Sequence, residues 1–177
     1  MTGLATPAAP SATARIVWDT ADKFLRNVVE PQEYGDYILP FTVLRRLECL
    51  LATTKKDVIE YVRSLGEMPP HLIDIAVRDR FKLSFFNVSE LDLATIASVD
   101  DNVDKSLTSY VAGFSNNIAD IWNAFEFPKL VTKLASANRL HAVVKHFSTL
   151  PLGPDQVSNT AMGDIFEDVM YLSLIHI

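Results

Sequence analysis

Apolar residues recur at helical spacing along nearly the whole chain, and this periodicity constrains the fold more than any other sequence feature. Val17, Ala21, Phe24 and Val28 follow one another at intervals of four and three residues, which places them on one face of a helix. The pattern predicts an amphipathic helix over residues 15–29. Similar patterns along the rest of the chain predict an all-α domain of about seven to nine helices.

The stretch "EYGDYILPFTVLRRL" carries the strongest apolar run and also a proline at its centre. Ile38, Phe41, Leu44 and Leu51 lie at near-helical spacing, so we expect them to form a buried stripe. Pro40 has no amide hydrogen to donate and its ring clashes with the preceding turn. We therefore expect the helix to kink or restart at this proline.

Three other segments set the organisation of the chain. Residues 1–14 are rich in Ala, Pro, Ser and Thr, lack a basic start and predict a disordered arm. Residues 83–88 could form a short strand or an extended segment. Residues 15–170 are expected to form one helical domain, and residues 171–177, "YLSLIHI", are interpreted as a truncation scar or a tail foreign to that domain.

Composition excludes several classes of protein. The 177 residues are 49% apolar and 21% charged, which is typical of a soluble globular protein. No stretch approaches the roughly 20 uncharged apolar residues that a membrane span needs. A single cysteine, Cys49, permits no internal disulfide, and the cytoplasm is the simplest location.

The sequence contains no recognisable motif for catalysis or cofactor binding. His141 and His146 are five residues apart and so do not share a helix face as two zinc-binding histidines of an HExxH motif do. The sequence contains no GxSxG, P-loop or GxGxxG pattern. We therefore predict no catalytic, cofactor-binding or metal-binding residue in this chain, and interpret Cys49 as a small core residue.

Positive charge is concentrated in one part of an otherwise acidic chain, whose net charge is −6. Residues 41–82 carry eight Lys or Arg against six Asp or Glu, whereas residues 83–127 carry one lysine against seven acids. A local basic surface can contact phosphate whatever the total charge. The side chains therefore either point to water or contact DNA phosphate or an acidic partner. The candidates for such contacts are Arg45, Arg46, Lys55, Lys56, Arg78, Arg80 and Lys82.

Four sequence motifs in a fixed order resemble the N-terminal helical domain of the modification (DNA methyltransferase) subunit of type I restriction–modification systems. They are Trp18, Ala21 and Asp22 in W-x-x-A-D, then "YGDYILPFTVLRRL", "YVAGFSNNIADIW" and "VSNTAMGDIFED". The resemblance covers about residues 16–170. Each motif alone would be a weak signal. The resemblance is strong because all four occur in the order that the family shows.

The resemblance implies a part in adenine-N6 DNA methylation. In that family a Rossmann-like domain binds S-adenosylmethionine, carries an Asn-Pro-Pro-Phe type motif and methylates an adenine that has been flipped out of the duplex. The helical domain helps to enclose double-stranded DNA and contacts the specificity subunit. A second modification subunit and, in the full complex, a restriction subunit are further partners that the resemblance implies.

The chain departs from the family after "MGDIFEDVM", where relatives continue into the cofactor-binding domain. Neither a glycine-rich cofactor loop nor the Asn-Pro-Pro-Phe motif is present, so we expect the catalytic domain to be missing and the fragment to be inactive alone. The alternative is a stand-alone helical protein-interaction module without enzymatic activity.

Overall fold

The computed structural model describes residues 12–174, in which ten α-helices and two short 3-10 helices form and no strand does. The all-α prediction is confirmed, and the described residues contain one α-helix more than the seven to nine expected. No helix in these residues is long and apolar enough to cross a membrane. The α-helices are α1 (Ala12–Leu25), α2 (Tyr34–Leu51), α3 (Lys55–Ser64), α4 (Pro70–Phe81), α5 (Leu93–Ala97), α6 (Val103–Ala112), α7 (Ala119–Ala124), α8 (Phe127–Ser136), α9 (Leu140–Phe147) and α10 (Asn159–Leu174), and the 3-10 helices are Pro31–Glu33 and Asn116–Ile118.

Helix α1 starts earlier and ends earlier than the apolar pattern predicts. Residues 12–14, which the composition assigns to the disordered arm, are helical, and Ala14 is fully buried in the core. At the other end, Asn27 adopts a left-handed backbone conformation with φ of 67°, which an uninterrupted helix cannot contain. The amide of Val29 then bonds back to the carbonyl of Leu25 at 3.1 Å and closes the turn.

The two ends of the chain are only partly described. Residues 1–11 of the expected arm and residues 175–177 of the expected tail lie outside the described residues. Residues 171–174 continue α10, and Leu172 is buried against the rest of the domain. The last four described positions therefore belong structurally to the helical domain.

Helix α2 runs through the centre of the domain without interruption. Ile38, Phe41, Leu44 and Leu51 are each at most 4% exposed, so the predicted core stripe is confirmed. Pro40 lies inside the helix, and the expected restart does not occur. Burial of apolar side chains on both sides of the proline offsets the one hydrogen bond that it cannot make.

The buried apolar side chains fall into two clusters. The main core is built from α1, α2 and α5 to α10. A second, smaller core lies between α3 and α4, where Val58 and Val77 pack with Phe86 of the following segment. The α3–α4 pair therefore stands apart from the main core and joins it through α2 on one side and residues 83–88 on the other.

Residues 83–88 are extended, as the sequence predicts, but form a single bridge rather than a strand. Asn87 pairs with Phe114 in antiparallel orientation, and the amide of Val88 donates to the carbonyl of Gly113 at 2.9 Å. A β-carbon on Gly113 would lie 2.8 Å from Oδ1 of Asn87. It would also lie 2.9 Å from the β-carbon of Ser89 and 3.1 Å from its amide nitrogen, so glycine avoids a clash with the segment that pairs here.

Candidate nucleic-acid interface

Arg46 points into the protein and not to its surface. The residue is 6% exposed, and its guanidinium donates to the carbonyls of Leu152 at 2.8 Å and Val157 at 2.6 Å and to Oδ1 of Asn159 at 3.0 Å. The two carbonyls lie in the segment that connects α9 to α10, and Asn159 is the first residue of α10. Both sequence interpretations placed Arg46 at the surface, and both are wrong, because the neighbouring backbone needs a buried donor there.

Arg45 is half-buried and also has partners within the chain. Its Nε donates to the carbonyl of Leu150 at 2.9 Å, and Nη1 donates to Oε1 of Glu48 at 2.6 Å. The other carboxylate oxygen of Glu48 accepts from the hydroxyl of Tyr110 and the amide of Leu93, both at 2.8 Å. Glu48 thus connects α2 with α5 and α6, and Arg45 balances its charge.

Lys55 also contacts Tyr110, the residue whose hydroxyl donates to Glu48. Its ammonium lies 4.8 Å above the ring of Tyr110 and donates to the carbonyl of Leu91. Burial lowers the pKa of Lys55, and burial together with Glu48 raises the pKa of the Tyr110 hydroxyl. Lys55 is therefore half-buried, and its ammonium group makes contacts within the protein.

Two candidates, Arg78 on α4 and Lys82 directly after it, are paired with carboxylates of α4. Nε of Arg78 lies 3.2 Å from Oδ2 of Asp74, an ion pair whose geometry falls short of a hydrogen bond. Nζ of Lys82 lies 3.4 Å from Oδ1 of Asp79. Such pairs reduce the positive potential that α4 presents, although exposed ones contribute little to stability.

The last two candidates differ from each other. The guanidinium of Arg80 stacks over the ring of Tyr61 at 5.0 Å, so its planar face is occupied. Lys56 is exposed, and the described residues offer it no ion pair or hydrogen bond. Of the seven cations predicted from sequence, Lys56 is therefore the one that the described fold leaves entirely to solvent.

The sequence analysis did not predict a second group of cations. Residues 127–154, which follow the segments 41–82 and 83–127, contain four Lys or Arg and no Asp or Glu. Lys129 donates to Glu126 at 2.9 Å, whereas Lys133, Arg139 and Lys145 are exposed and form no ion pair within the described residues. The structure thus leaves unpaired positive charge on α8 and α9.

No metal centre accompanies these cations: the described residues contain no group of three or more His, Cys, Asp and Glu side chains placed to hold a metal ion. Cys49 is half-buried, and burial raises the pKa of its thiol, which lowers its reactivity.

The comparisons define the family. The family model of the HsdM N-terminal domain matches residues 13–147, which is most of the chain. The chain therefore belongs to this family, the N-terminal domain of the modification subunit of type I restriction–modification systems, and the match includes the first three of the four motifs, whereas "VSNTAMGDIFED" lies beyond it. Comparison with curated proteins and with solved structures gives no match.

Proposed function

We propose that this chain is the DNA-enclosing and subunit-assembly domain of a type I adenine-N6 DNA methyltransferase, with the catalytic domain outside the 177 residues. The observation that carries the proposal is the family match over residues 13–147. A methyltransferase that flips its target base must hold the duplex on both sides of that base. A helical domain beside the catalytic domain serves that purpose.

The partners follow from the same proposal. They are double-stranded DNA, the specificity subunit, a second modification subunit and, in the full complex, the restriction subunit. S-adenosylmethionine binds in the catalytic domain and not in this chain, and the complex works in the cytoplasm. The specificity subunit chooses the DNA sequence, so this domain contributes contacts that do not depend on sequence.

Two features of the fold support an assembly role. Arg46 fixes the connection between α9 and α10, so α10 packs against α1 and α2 in a defined direction. Large apolar side chains are also exposed on α4 and α10, which is the composition that protein contacts use. These side chains are Leu72, Ile75, Met170 and Tyr171.

The coding DNA downstream of residue 177 tests the domain assignment most simply. We expect an open frame that continues into a glycine-rich cofactor loop and an Asn-Pro-Pro-Phe type motif. A stop codon directly after residue 177 would favour the alternative, a stand-alone interaction module.

Calorimetry tests the proposed division of labour. The purified 177-residue chain should give no saturable heat with S-adenosylmethionine and should not methylate DNA. The same chain should bind the specificity subunit of its own system in size-exclusion chromatography. Saturable cofactor binding at micromolar affinity by the chain alone would contradict the assignment of the cofactor site to another domain.

A further inference from the structure

We infer that the phosphate-binding surface of this domain is the outer face of α8 and α9 together with the end of α1, and not α2 to α4. We call it the α8–α9 basic surface and define it by Lys23, Lys133, Arg139 and Lys145. Its ligand is the phosphodiester backbone of duplex DNA. The inference rests on the proposed function, whose DNA contacts it assigns to particular residues.

The first argument is the balance of charge. Residues 127–154 carry no carboxylate, so no acidic side chain of these two helices opposes Lys133, Arg139 or Lys145. All four defining residues are exposed, and none forms an ion pair within the described residues. Cations without an ion pair hold mobile counter-ions from the solvent. Phosphates can replace these counter-ions without first breaking an ion pair within the protein.

The second argument is the geometry of the α8–α9 turn. Asn138 takes a left-handed conformation with φ of 58°, and the amide of Arg139 donates to the carbonyl of Leu134 at 2.9 Å. The amide of Ala137 bonds to the carbonyl of Lys133 at 3.1 Å. Lys133 lies in the last turn of α8, and Arg139 directly precedes α9, so the two cations flank the same short turn.

The third argument is the contact between α9 and α1. The hydroxyl of Thr20 donates to the carbonyl of Ile16 at 2.8 Å, so its oxygen accepts from Nε2 of His146 at 2.7 Å. His146 directly follows Lys145, and burial and then the nearby charge of Lys23 lower the pKa of His146. Nζ of Lys23 lies 5.5 Å from the ring of Phe24, which in turn lies 6.1 Å from the ring of His146, so Lys23 stacks on an aromatic ring near this end of α9 and adds a cation to those of the hairpin.

Two other charged residues, Arg26 and Asp19, lie near Lys23 in the sequence. Arg26 is excluded because its guanidinium is paired with Asp22 on the same helix. Asp19 lies one turn before Lys23, yet no ion pair joins them. The four defining cations come from α1, α8, the α8–α9 turn and α9, and side chains of this type supply the phosphate contacts that position a protein on a duplex.

The part of the surface on α8 and α9 favours phosphate over an acidic protein because it offers no apolar anchor among the described residues, whereas on α1 the side chain of Ile16, two turns before Lys23, is 52% exposed. No large apolar side chain between residues 100 and 169 is exposed in the described structure. Protein interfaces bury aromatic and apolar anchors at their centre, whereas backbone contacts to DNA use cations and small polar donors. The exposed small polar residues on this face are Thr132, Ser136 and Asn138.

Two matched triple variants of the 177-residue chain test the inference. The test variant combines Lys133→Gln, Arg139→Gln and Lys145→Gln, and the control combines Lys56→Gln, Arg80→Gln and Lys82→Gln. Each removes three positive charges from exposed positions, so both variants have the same net charge. Any difference between them reports where the charge lies and not how much there is.

Binding to a fluorescent duplex of arbitrary sequence is measured by anisotropy from low to moderate salt. The test variant should lower the slope of log affinity against log salt by about 2 to 3, since each lost phosphate contact releases about 0.9 fewer counter-ions. The control should keep the wild-type slope to within about 0.5. Circular dichroism melting checks that both variants fold. If the test triple does not fold, the three single variants replace it, each with a slope change of about 0.9.

The outcomes separate the inference from the proposed function. Equal slopes for wild type and test variant, or a loss confined to the control, would overturn the α8–α9 basic surface while leaving DNA binding by the domain intact. Unchanged DNA binding with lost binding to the specificity subunit would assign the surface to an acidic protein instead. Absence of DNA binding by the wild-type chain, even at low salt, would overturn both the surface and the DNA half of the proposed function.

Discussion

Helices α3 and α4 together with Lys82, which follows α4, carry six Lys or Arg, and helices α8 and α9 with their connecting turn carry four, but the two pairs use these charges differently. On α3 and α4 most cations are paired with carboxylates or stacked on an aromatic ring. On α8 and α9 three of four have no ion pair in the described structure. The number of cations in a segment is therefore a poor measure of the anion-binding surface that it offers.

The two pairs also differ in how they are supported. The α3–α4 pair buries few side chains and relies on a small core of its own. The α8–α9 pair rests on the main core through two full apolar faces. The buried residues of those faces are Phe127, Leu130, Val131, Leu134, Leu140, Val143, Val144 and Phe147. A rigid support suits a surface that must hold phosphate contacts in register.

The largest expected effect comes from removing the contact between α2 and the α8–α9 pair. Phe41 is fully buried, and its ring lies 5.5 Å from that of Phe127 and 5.6 Å from that of Phe147. Phe41→Ala should lower the free energy of unfolding by about 3–5 kcal/mol. Val77→Ala, in the small core, should cost only about 1–3 kcal/mol. Urea denaturation of both variants measures the difference, and equal losses would mean that the two cores are not distinct in strength.

The next effect concerns the buried arginine. Arg46→Met keeps an apolar stem but leaves the carbonyls of Leu152 and Val157 without a donor, so we expect a loss of about 2–4 kcal/mol. Lys56→Met, at an exposed position, should stay within about 0.5 kcal/mol of wild type. If the denaturation midpoint of Arg46→Met matched that of the control, the internal role of Arg46 would be refuted.

A smaller difference should separate the native-state motions of the two helix pairs. Amides of α3 and α4 should exchange with solvent at least about tenfold faster than those of α8 and α9, because fewer buried contacts oppose their local opening. Hydrogen exchange followed by mass spectrometry at neutral pH measures both regions in one sample. Equal protection of the two regions would contradict the claim that α8 and α9 are more rigidly supported than α3 and α4.

The smallest effect is the pH dependence of the contact between α1 and α9. Because the pKa of His146 is lowered in the fold, the unfolded chain binds the proton more readily, so this contribution to stability is complete above the ordinary pKa of 6.5 and is lost as pH falls below it. The urea midpoint should therefore fall less between pH 7.5 and 5.5 in His146→Gln than in wild type. His71→Gln, at an exposed histidine on α4, is the control and should follow wild type.

Much of the fold could be predicted because its signal is local. The stripe of Ile38, Phe41 and Leu44 is visible within two helical turns, and all three are buried. The pairs Asp74–Arg78 and Asp79–Lys82 lie four and three residues apart, so their neutralisation could also have been inferred from the sequence.

The role of Arg46 could not be predicted in the same way. Its acceptors Leu152 and Val157 lie 106 and 111 residues further along the chain, and no local pattern relates them. An arginine in an apolar helix suggests a surface position until the tertiary structure supplies carbonyls for its donors. The basic run of residues 127–154 is a different case, since its lack of carboxylates is plain in the sequence. Only the structure shows that three of its cations stay unpaired.

Lysine footprinting tests most directly where the chain holds DNA. The 177-residue chain is acetylated briefly with and without duplex DNA at low salt, and each modified lysine is quantified by mass spectrometry, with exposed Lys105 as the reference. We predict that DNA protects Lys133 and Lys145 while Lys56 and Lys82 react as before. Protection of Lys56 and Lys82 with continued reaction at Lys133 and Lys145 would contradict the account.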